Sequence, residues 1–147
     1  MKLHSIKITN FQSFGEEPTE FTLEEITYLI GPNGSGKTAV LQALCRLFAF
    51  DSSLRRVKRT DFHIPQSESS PTDQRTLCIE ADFTFPETTD DEDNSTVAPF
   101  FSHMRLDEVT GLPRVRFRLT ATMDFIGEIE EKFEYVLTQD GKTTQSV

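Results

Sequence analysis

The residue pattern with the clearest chemical meaning is a glycine-rich octet. It reads Gly31-Pro32-Asn33-Gly34-Ser35-Gly36-Lys37-Thr38 and satisfies G-x-x-x-x-G-K-[ST]. Glycines let a backbone wrap around a polyphosphate so that successive N–H groups point inward without Cβ clashes. The pattern predicts that the Lys37 ammonium lies between the β- and γ-phosphates of ATP, and that the Thr38 hydroxyl ligates Mg²⁺.

The segments on either side of the octet match the elements that a phosphate-binding loop needs. Ile26-Thr27-Tyr28-Leu29-Ile30 is a nearly continuous apolar run, which predicts a strand covered on both faces. After the octet, apolar residues recur at steps of three and four, which predicts an amphipathic helix from about Lys37 to Ala49. The start of that helix would add free N–H groups and a positive dipole end. The order of strand, glycine loop and helix therefore favours phosphate binding over a chance turn.

Other segments show the alternation of strands. Residues 1–11 predict a first strand, and Phe21 with Leu23 suggests a short second one. Residues 51–76 look irregular. Between Leu77 and Phe85 apolar and polar residues alternate strictly, which predicts a half-buried strand with Glu80 and Asp82 on its polar face.

The last third of the chain predicts further strands. Residues 86–96, which include four consecutive acidic residues, are interpreted as a solvated loop, and residues 97–106 are compatible with a short helix. Arg114, Arg116 and Arg118 alternate with apolar residues on another strand, and they could protect a sheet edge, face a partner or be ordinary surface. A strand over residues 128–137 follows. The Asp140-Gly141 pair then predicts a hairpin turn and a returning strand over residues 142–147.

Composition limits the possible classes. The chain has 147 residues and a formal net charge of −9, which suits one domain with a polar surface. No apolar run reaches the roughly 18–20 residues that span a bilayer, and no signal peptide opens the chain. Cys45 and Cys78 have no metal-binding spacing, so we predict two reduced, buried thiols and a cytoplasmic protein. His4, His63 and His103 share no ligand spacing that would make a zinc site.

The acidic balance weakens the case for a broad nucleic-acid-binding surface, because binding phosphates needs local positive charge. One basic cluster stands out at residues 55–59, where Arg55, Arg56, Lys58 and Arg59 surround a single valine. These four residues are candidates for contact with DNA phosphates or with the nucleotide. Ordinary solvated surface is the alternative.

The octet, together with residues Leu3 to Phe14, resembles the N-terminal lobe of ABC-type ATPase heads. Such heads are shared by the structural-maintenance-of-chromosomes (SMC), RecF and overcoming-lysogenization-defect (OLD) families. The wording Gly-Pro-Asn-Gly-Ser-Gly-Lys-Thr is more specific to this group than the bare pattern, and Ile8–Phe14 is similar to the group's first strand and turn. The stretch Arg59–His63, followed by the Leu77–Phe85 strand, most resembles the OLD family of ATP-dependent nucleases.

The resemblance implies a nucleotide clamp, in which ATP on one subunit's P-loop is completed by a signature motif from a second subunit. It makes Gln12 and Ser13 further candidates for nucleotide contact, since their turn approaches the nucleotide in similar ATPases; capping the first strand is the alternative role. The later acidic strand with its catalytic Glu, the signature motif and the toprim nuclease module are not found in this sequence. We therefore identify no catalytic residue, and we expect weak nucleotide binding without efficient hydrolysis.

These observations predict an α/β P-loop lobe with a mixed sheet, one helix after the loop and an antiparallel β extension. Residues 1–50 would form the strand–loop–helix core, residues 51–76 an irregular basic segment and residues 77–147 the antiparallel region of an incomplete ATPase domain. The predicted function is the ATP-binding part of an OLD-like DNA nuclease in antiphage defence, with ATP gating dimerisation. Two alternatives stay open: a RecF- or SMC-like DNA-repair head without nuclease activity, and a non-enzymatic nucleotide- or partner-binding module.

Overall fold

A single antiparallel sheet is the framework of the fold. The computed structural model describes residues 1–68, 73–85, 104–106, 113–138 and 140–147. Seven strands and two helices lie in these ranges: β1 (Lys2–Thr9), β2 (Thr19–Thr22), α1 (Lys37–Phe48), α2 (Ser52–Arg55), β3 (Gln74–Thr84), β4 (Arg105–Leu106), β5 (Pro113–Asp124), β6 (Ile129–Val136) and β7 (Thr144–Ser146). The order across the sheet is β2-β1-β3-β5-β6-β7, and β4 pairs with β5.

One face of the sheet carries the apolar core. The register pairs Ile8 with Ile79 and then Ile79 with Leu119, so side chains from three neighbouring strands point the same way. These three residues are fully buried, and α1 packs against them through Ala43 and Leu47. Burial of each such side chain contributes about 1.5–3 kcal/mol. The amphipathic helix predicted after the octet is thus confirmed, and its apolar face fixes it on the sheet.

The opposite face carries a row of alternating charges. The register aligns five residues from five adjacent strands in this row: Glu20, Lys7, Glu80, Arg118 and Glu134. Arg118 donates to Glu80 at 2.6 Å, and Glu80 is buried. The strand predicted over Leu77–Phe85 is confirmed as β3, but it is not half-buried as predicted, since arginines on β5 cover the carboxylates of its polar face. Because β5 lies between β3 and β6, its arginines do not protect a sheet edge.

The segment before the octet is not the buried strand that its apolar run predicts. Residues 26–30 form no strand in the described part of the chain. Ile26, Tyr28 and Ile30 are 72%, 79% and 92% exposed. A strand covered on both faces needs neighbouring strands to pair with and layers above and below it, and the described residues provide neither. Every pairing among the described strands is antiparallel. The parallel pairs of the predicted mixed sheet are therefore not seen among them.

The remaining expectations meet different outcomes. Strands β1, β2, β5, β6 and β7 occur where alternation and turn residues predict them, and Gly141 takes a left-handed φ of 72° in the last hairpin. The interpretation of residues 97–106 as a helix is wrong for Arg105–Leu106, which pair with β5 as a strand. The acidic loop at 86–96 and residues 97–103 lie outside the described residues. Residues 51–76 are not wholly irregular, since they contain α2 and a 3₁₀ turn at Arg59–Asp61.

The two cysteines are free, but they differ in exposure. Cys78 is partly buried on β3, whereas Cys45 on α1 is exposed, so the prediction of two buried thiols is wrong for Cys45. Its position falls on the outer side of the helix, away from the alanines and Leu47 that face the sheet. Among the described residues, none of the helices is long and apolar enough to cross a membrane.

Candidate phosphate-binding site

The octet forms a tight loop that ends at the N-terminus of α1. Gly34 and Gly36 have φ angles of 85° and 91°, in the left-handed region that glycine tolerates and other residues rarely adopt. A Cβ on Gly36 would lie 3.0 Å from both the Ser13 hydroxyl and the Phe14 ring. Glycine is therefore needed at this position for two separate reasons, its backbone angle and the close approach of the Ser13–Phe14 turn.

Gly36 is also the N-cap residue of α1. Within the described residues no side chain caps this N-terminus, and its first turn contains no acidic residue. The first N–H groups of a helix lack intrahelical acceptors, and the helix dipole adds partial positive charge there. The start of α1 consequently leaves donors available to an anion.

The Lys37 side chain folds back across the loop. Its Nζ donates to the carbonyl oxygens of Gly31 and Pro32, each at 2.6 Å. The ammonium thus lies over the loop rather than pointing away from it. Both acceptors are neutral carbonyls, so a phosphate oxygen would offer Nζ a stronger, charge-assisted partner.

A cleft of about 270 Å³ lies beside the loop and α1. Its lining residues are Gln12, Ser13, Asn33, Gly34, Gly36, Lys37, Thr38 and Ala39. Ligand pockets usually measure about 300–1,000 Å³, so this volume suits a polyphosphate tail better than a whole nucleotide. The lining contains an ammonium, a threonine hydroxyl and backbone amides, which is the donor set that a phosphate–Mg²⁺ group requires. Gly31, Pro32 and Ser35 are not among the lining residues; Gly31 and Pro32 instead accept hydrogen bonds from Lys37.

The turn that carries Gln12 is held in an unusual backbone conformation. Asn10 and Gln12 have φ angles of 52° and 50°, which costs a non-glycine residue about 1–3 kcal/mol. The Gln12 N–H donates to the Asp61 carbonyl at 2.7 Å, and the His63 N–H donates to the Asn10 carbonyl at 2.9 Å. Phe11 and Phe62 form an antiparallel bridge between these two donors. The Arg59–His63 stretch therefore fixes the turn that borders the cleft.

A buried ion pair lies behind this turn. The Arg46 guanidinium donates to the Asp61 carboxylate through Nε at 2.7 Å and Nη2 at 3.0 Å, and Asp61 is only 1% exposed. The Lys58 N–H donates to the same carboxylate at 2.8 Å, and Gln12 Nε2 donates at 3.1 Å. Arg46 also reaches the Leu54 carbonyl at 2.6 Å. The pair thus joins α1, α2, the 3₁₀ turn and the cleft.

The Asp61 carboxyl is kept ionised by these contacts. Burial raises its pKa, but the hydrogen bonds from Arg46, the Lys58 amide and Gln12 together lower the pKa by more, so the net pKa lies below its ordinary value. An ionised carboxylate only accepts hydrogen bonds. Every group that faces Asp61 must therefore be a donor.

The basic cluster at residues 55–59 divides in two. Arg55 donates to the Ala49 carbonyl at 3.0 Å, and Arg59 donates to the carbonyls of Ile126 and Gly127 at 3.2 and 3.1 Å. The side chains of Arg56 and Lys58 are exposed and have no hydrogen-bond partner among the described residues. Only these last two side chains are free for a charged ligand.

Sequence reasoning missed the role of Arg46. The signal was present: Ala39, Ala43 and Arg46 follow one another at steps of four and three, so the arginine lies on the apolar face of α1. A charged residue at a core-facing position requires a buried partner. The partner itself, fifteen residues along the chain in an irregular segment, could not be named from spacing alone.

The left-handed glycine loop, the uncapped helix start and the lysine folded over the loop together define the class of P-loop nucleotide-binding proteins. The family model of the AAA ATPase domain matches residues 1–144, so the chain belongs to this family of AAA ATPase domains.

The chain is similar in sequence to two SMC proteins and in fold to an SMC ATPase. The chain is 25% identical over 135 residues, 91% of its length, to structural maintenance of chromosomes protein 4 of Schizosaccharomyces pombe, and 41% identical over 59 residues, 40% of its length, to the chromosome partition protein Smc of Synechococcus. It spans only 9% and 5% of these relatives. A structure from work on ATP-driven dimerization and DNA-stimulated activation of SMC ATPases matches with a TM-score of 0.55 at 15% identity, covering 90% of this chain and 69% of that one. This last match supports the fold, an α/β lobe of the SMC ATPase type.

Proposed function

We propose that this chain is the nucleotide-binding N-terminal lobe of an SMC- or RecF-like ATPase head and that it binds ATP with Mg²⁺ at the octet. The observation that carries the proposal is the left-handed Gly34–Gly36 loop, which ends in an uncapped helix start beside a cleft of phosphate size. Membership of the AAA ATPase domain family and the similarity to SMC proteins support it.

Lys37, Thr38 and the backbone amides at the start of α1 have defined roles in the proposed complex. Lys37 would exchange its two carbonyl acceptors for phosphate oxygens, and the amides at the start of α1 would donate to the same phosphates. Thr38 would hold Mg²⁺ through its hydroxyl. The bound Mg²⁺ would neutralise phosphate charge.

The proposal assigns binding rather than hydrolysis to the described residues. Among the residues that line the cleft none is acidic, and Glu80 and Asp82 on β3 are engaged by Arg118 and Arg116 on the charged face of the sheet. A general base and a second metal ligand would therefore come from elsewhere in the whole protein. In the solved SMC ATPase, ATP drives dimerization, and we propose the same consequence of ATP binding for the whole protein of which this lobe is a part, with a cytoplasmic location.

An OLD-type nuclease is the less supported reading. The relatives that match are SMC proteins, and the Arg59–His63 stretch that resembles the OLD family makes structural contacts in this fold. No observation on the described residues favours nuclease chemistry or antiphage defence over an SMC-like role.

The nucleotide proposal is tested by thermal melting with Mg·ATP. A ligand at about 100 times its Kd stabilises the folded state by about 2.7 kcal/mol. We expect wild type to melt at higher temperature with Mg·ATP and Lys37→Ala to show no shift. Lys142→Ala is the matched control, since Lys142 is exposed and pairs with Asp140 within the turn of the last hairpin, far along the chain from the octet. Equal shifts for wild type and Lys37→Ala would refute binding at the octet.

DNA contact is a second part of the proposal, and it concerns Arg56 and Lys58. Their exposed side chains are the free cations of the basic cluster, in a chain whose net charge of −9 otherwise repels DNA. We expect Arg56→Ala and Lys58→Ala each to weaken duplex binding and to lower the salt dependence, by about one unit of slope per lost contact. Fluorescence anisotropy across a salt series measures this, and an unchanged slope would exclude phosphate contact by these residues.

A further inference from the structure

The side-chain amide of Gln12 is held in one orientation at the edge of the cleft. Gln12 Nε2 donates one hydrogen to Asp61 Oδ1 at 3.1 Å and the other to Gln42 Oε1. The ionised Asp61 accepts only, so the nitrogen and not the oxygen of the Gln12 amide must face it. Both amide hydrogens are then used. No described residue donates to Gln12 Oε1, which leaves one acceptor as the group that this side chain offers to a ligand.

The Gln12 side chain lies in the same cleft as Thr38, the residue proposed to hold Mg²⁺. Gln42, the second acceptor for the Gln12 amide, lies four residues after Thr38 on α1 and therefore on the same face of the helix. Gln12 and Thr38 both line the cleft. The Gln12 side chain is thus anchored to the face of α1 that also carries Thr38, whose hydroxyl is expected to hold Mg²⁺.

The chemistry of an acceptor decides its partner. Phosphate oxygens are acceptors themselves and cannot pair with an amide oxygen. A Mg²⁺ ion in a phosphate site keeps several of its waters, and each of these is a strong donor. An acceptor at this place therefore suits a metal-bound water better than any atom of the triphosphate.

We propose that Asp61 is a positioning residue for the nucleotide site: it orients Gln12 so that the Gln12 amide oxygen accepts a hydrogen bond from a water of the bound Mg²⁺ ion. This inference rests on the proposed function. Arg46 holds Asp61 in place through two hydrogen bonds, and Asp61 in turn fixes both the backbone and the amide of Gln12.

The first test compares ATP binding with and without metal by isothermal titration calorimetry. Gln12→Ala removes the acceptor, and we expect it to weaken Mg·ATP binding about tenfold, equivalent to about 1.4 kcal/mol. Binding of ATP in EDTA should change by less than about twofold, because no metal-bound water is present. An equal loss in both conditions would mean that the acceptor serves the nucleotide itself, and would overturn the proposal, as would no loss in either.

The second test asks whether Asp61 acts through Gln12. Asp61→Asn should weaken Mg·ATP binding in the wild-type background and have no further effect in the Gln12→Ala background. A merely structural role would lower affinity in both backgrounds. If Asp61→Asn does not fold, Gln42→Ala takes its place, since it removes the other anchor of the amide without leaving a buried charge. Gln42→Ala must then lower Mg·ATP affinity only when Gln12 is present, and additive losses would reject the positioning role.

A matched control and the wild type separate this inference from the proposed function. Glu80→Gln removes a buried carboxylate that pairs with an arginine on the other face of the sheet, and it should leave the metal dependence of ATP binding unchanged. Wild type that binds no Mg·ATP would overturn both proposals. Wild type that binds in a Lys37-dependent manner but is unaffected by Gln12→Ala would overturn this inference alone.

Discussion

Replacing Arg46 with methionine should be the most damaging single change in the polar interior. Methionine matches the length of the arginine stem but cannot donate, so Asp61, 1% exposed, would keep its charge without its two strongest donors. Breaking a buried pair in this way costs about 3–5 kcal/mol, because an uncompensated charge stays buried. For a chain of this size, at about 2–4 °C per kcal/mol, the melting midpoint should fall by about 6–20 °C.

The pH dependence of this loss follows from the direction of the Asp61 pKa. In the wild type the folded-state pKa is lowered below its unfolded value of about 3.9. The resulting stabilisation is therefore fully present above that pH and is lost as the pH falls through the folded-state pKa. In Arg46→Met the rise that burial causes in the Asp61 pKa is no longer offset by Arg46. Protonation of Asp61 at lower pH therefore removes the buried charge and stabilises the variant. The difference in the free energy of unfolding between wild type and variant should narrow from pH 7 towards pH 4.

Urea unfolding at several pH values measures both effects. Lys7→Met is the control, because it makes a similar substitution in a pair that is open to solvent, where Lys7 and Glu20 lie 3.7 Å apart and are 35% and 50% exposed. Such pairs contribute about 0–1 kcal/mol. A loss below about 1 kcal/mol for Arg46→Met, or a difference that stays constant with pH, would refute the argument that the Arg46–Asp61 pair is a buried, ionised structural unit.

Three further predictions test other parts of the structure. Gly36→Ala should destabilise the chain more than Gly34→Ala in urea unfolding, because both positions have positive φ but only Gly36 would bring a Cβ within 3.0 Å of neighbouring side chains; equal losses would contradict this. Burial, with a smaller contribution from Glu80, raises the pKa of Cys78 to about 11, so iodoacetamide at pH 8 should modify exposed Cys45 and spare Cys78, as read by mass spectrometry. Tyr28→Ser should change the free energy of unfolding by less than about 0.5 kcal/mol, and a larger loss would show that the apolar run is packed after all.

Local pattern was sufficient for elements that depend on their own sequence. Helix α1 follows from the spacing of Val40, Leu44 and Leu47, and β3 from its strict alternation. The position of the Gln12–Ser13 turn beside the cleft was also predictable, because the resemblance to similar ATPases makes both residues candidates for nucleotide contact. These features need only a periodic apolar face or a motif with a defined backbone, and both are written in consecutive residues.

Features that depend on distant neighbours were not predictable in the same way. The run Ile26–Ile30 has the composition of a central strand, yet most of its large side chains are exposed, because the described residues supply no strand beside it. Glu80 lies on the polar face of the alternating pattern but is buried, because Arg118, thirty-eight residues later, covers it. In both cases the environment of a residue is decided by a partner whose sequence position carries no local signal.

Helix α1 connects the phosphate-binding loop with the buried Arg46–Asp61 ion pair, and this is why the ion pair lies close to the loop. Its first turn supplies amides, Lys37 and Thr38 to the cleft, while its last turn supplies Arg46 to Asp61. Asp61 then returns to the cleft through the backbone and amide of Gln12. Each of the three segments, the glycine loop, α1 and the Gln12 turn, is thus connected to the other two. A left-handed backbone at Gln12 is tolerated because hydrogen bonds of its N–H, its carbonyl and its side-chain amide with Asp61, His63 and Gln42 hold it in place.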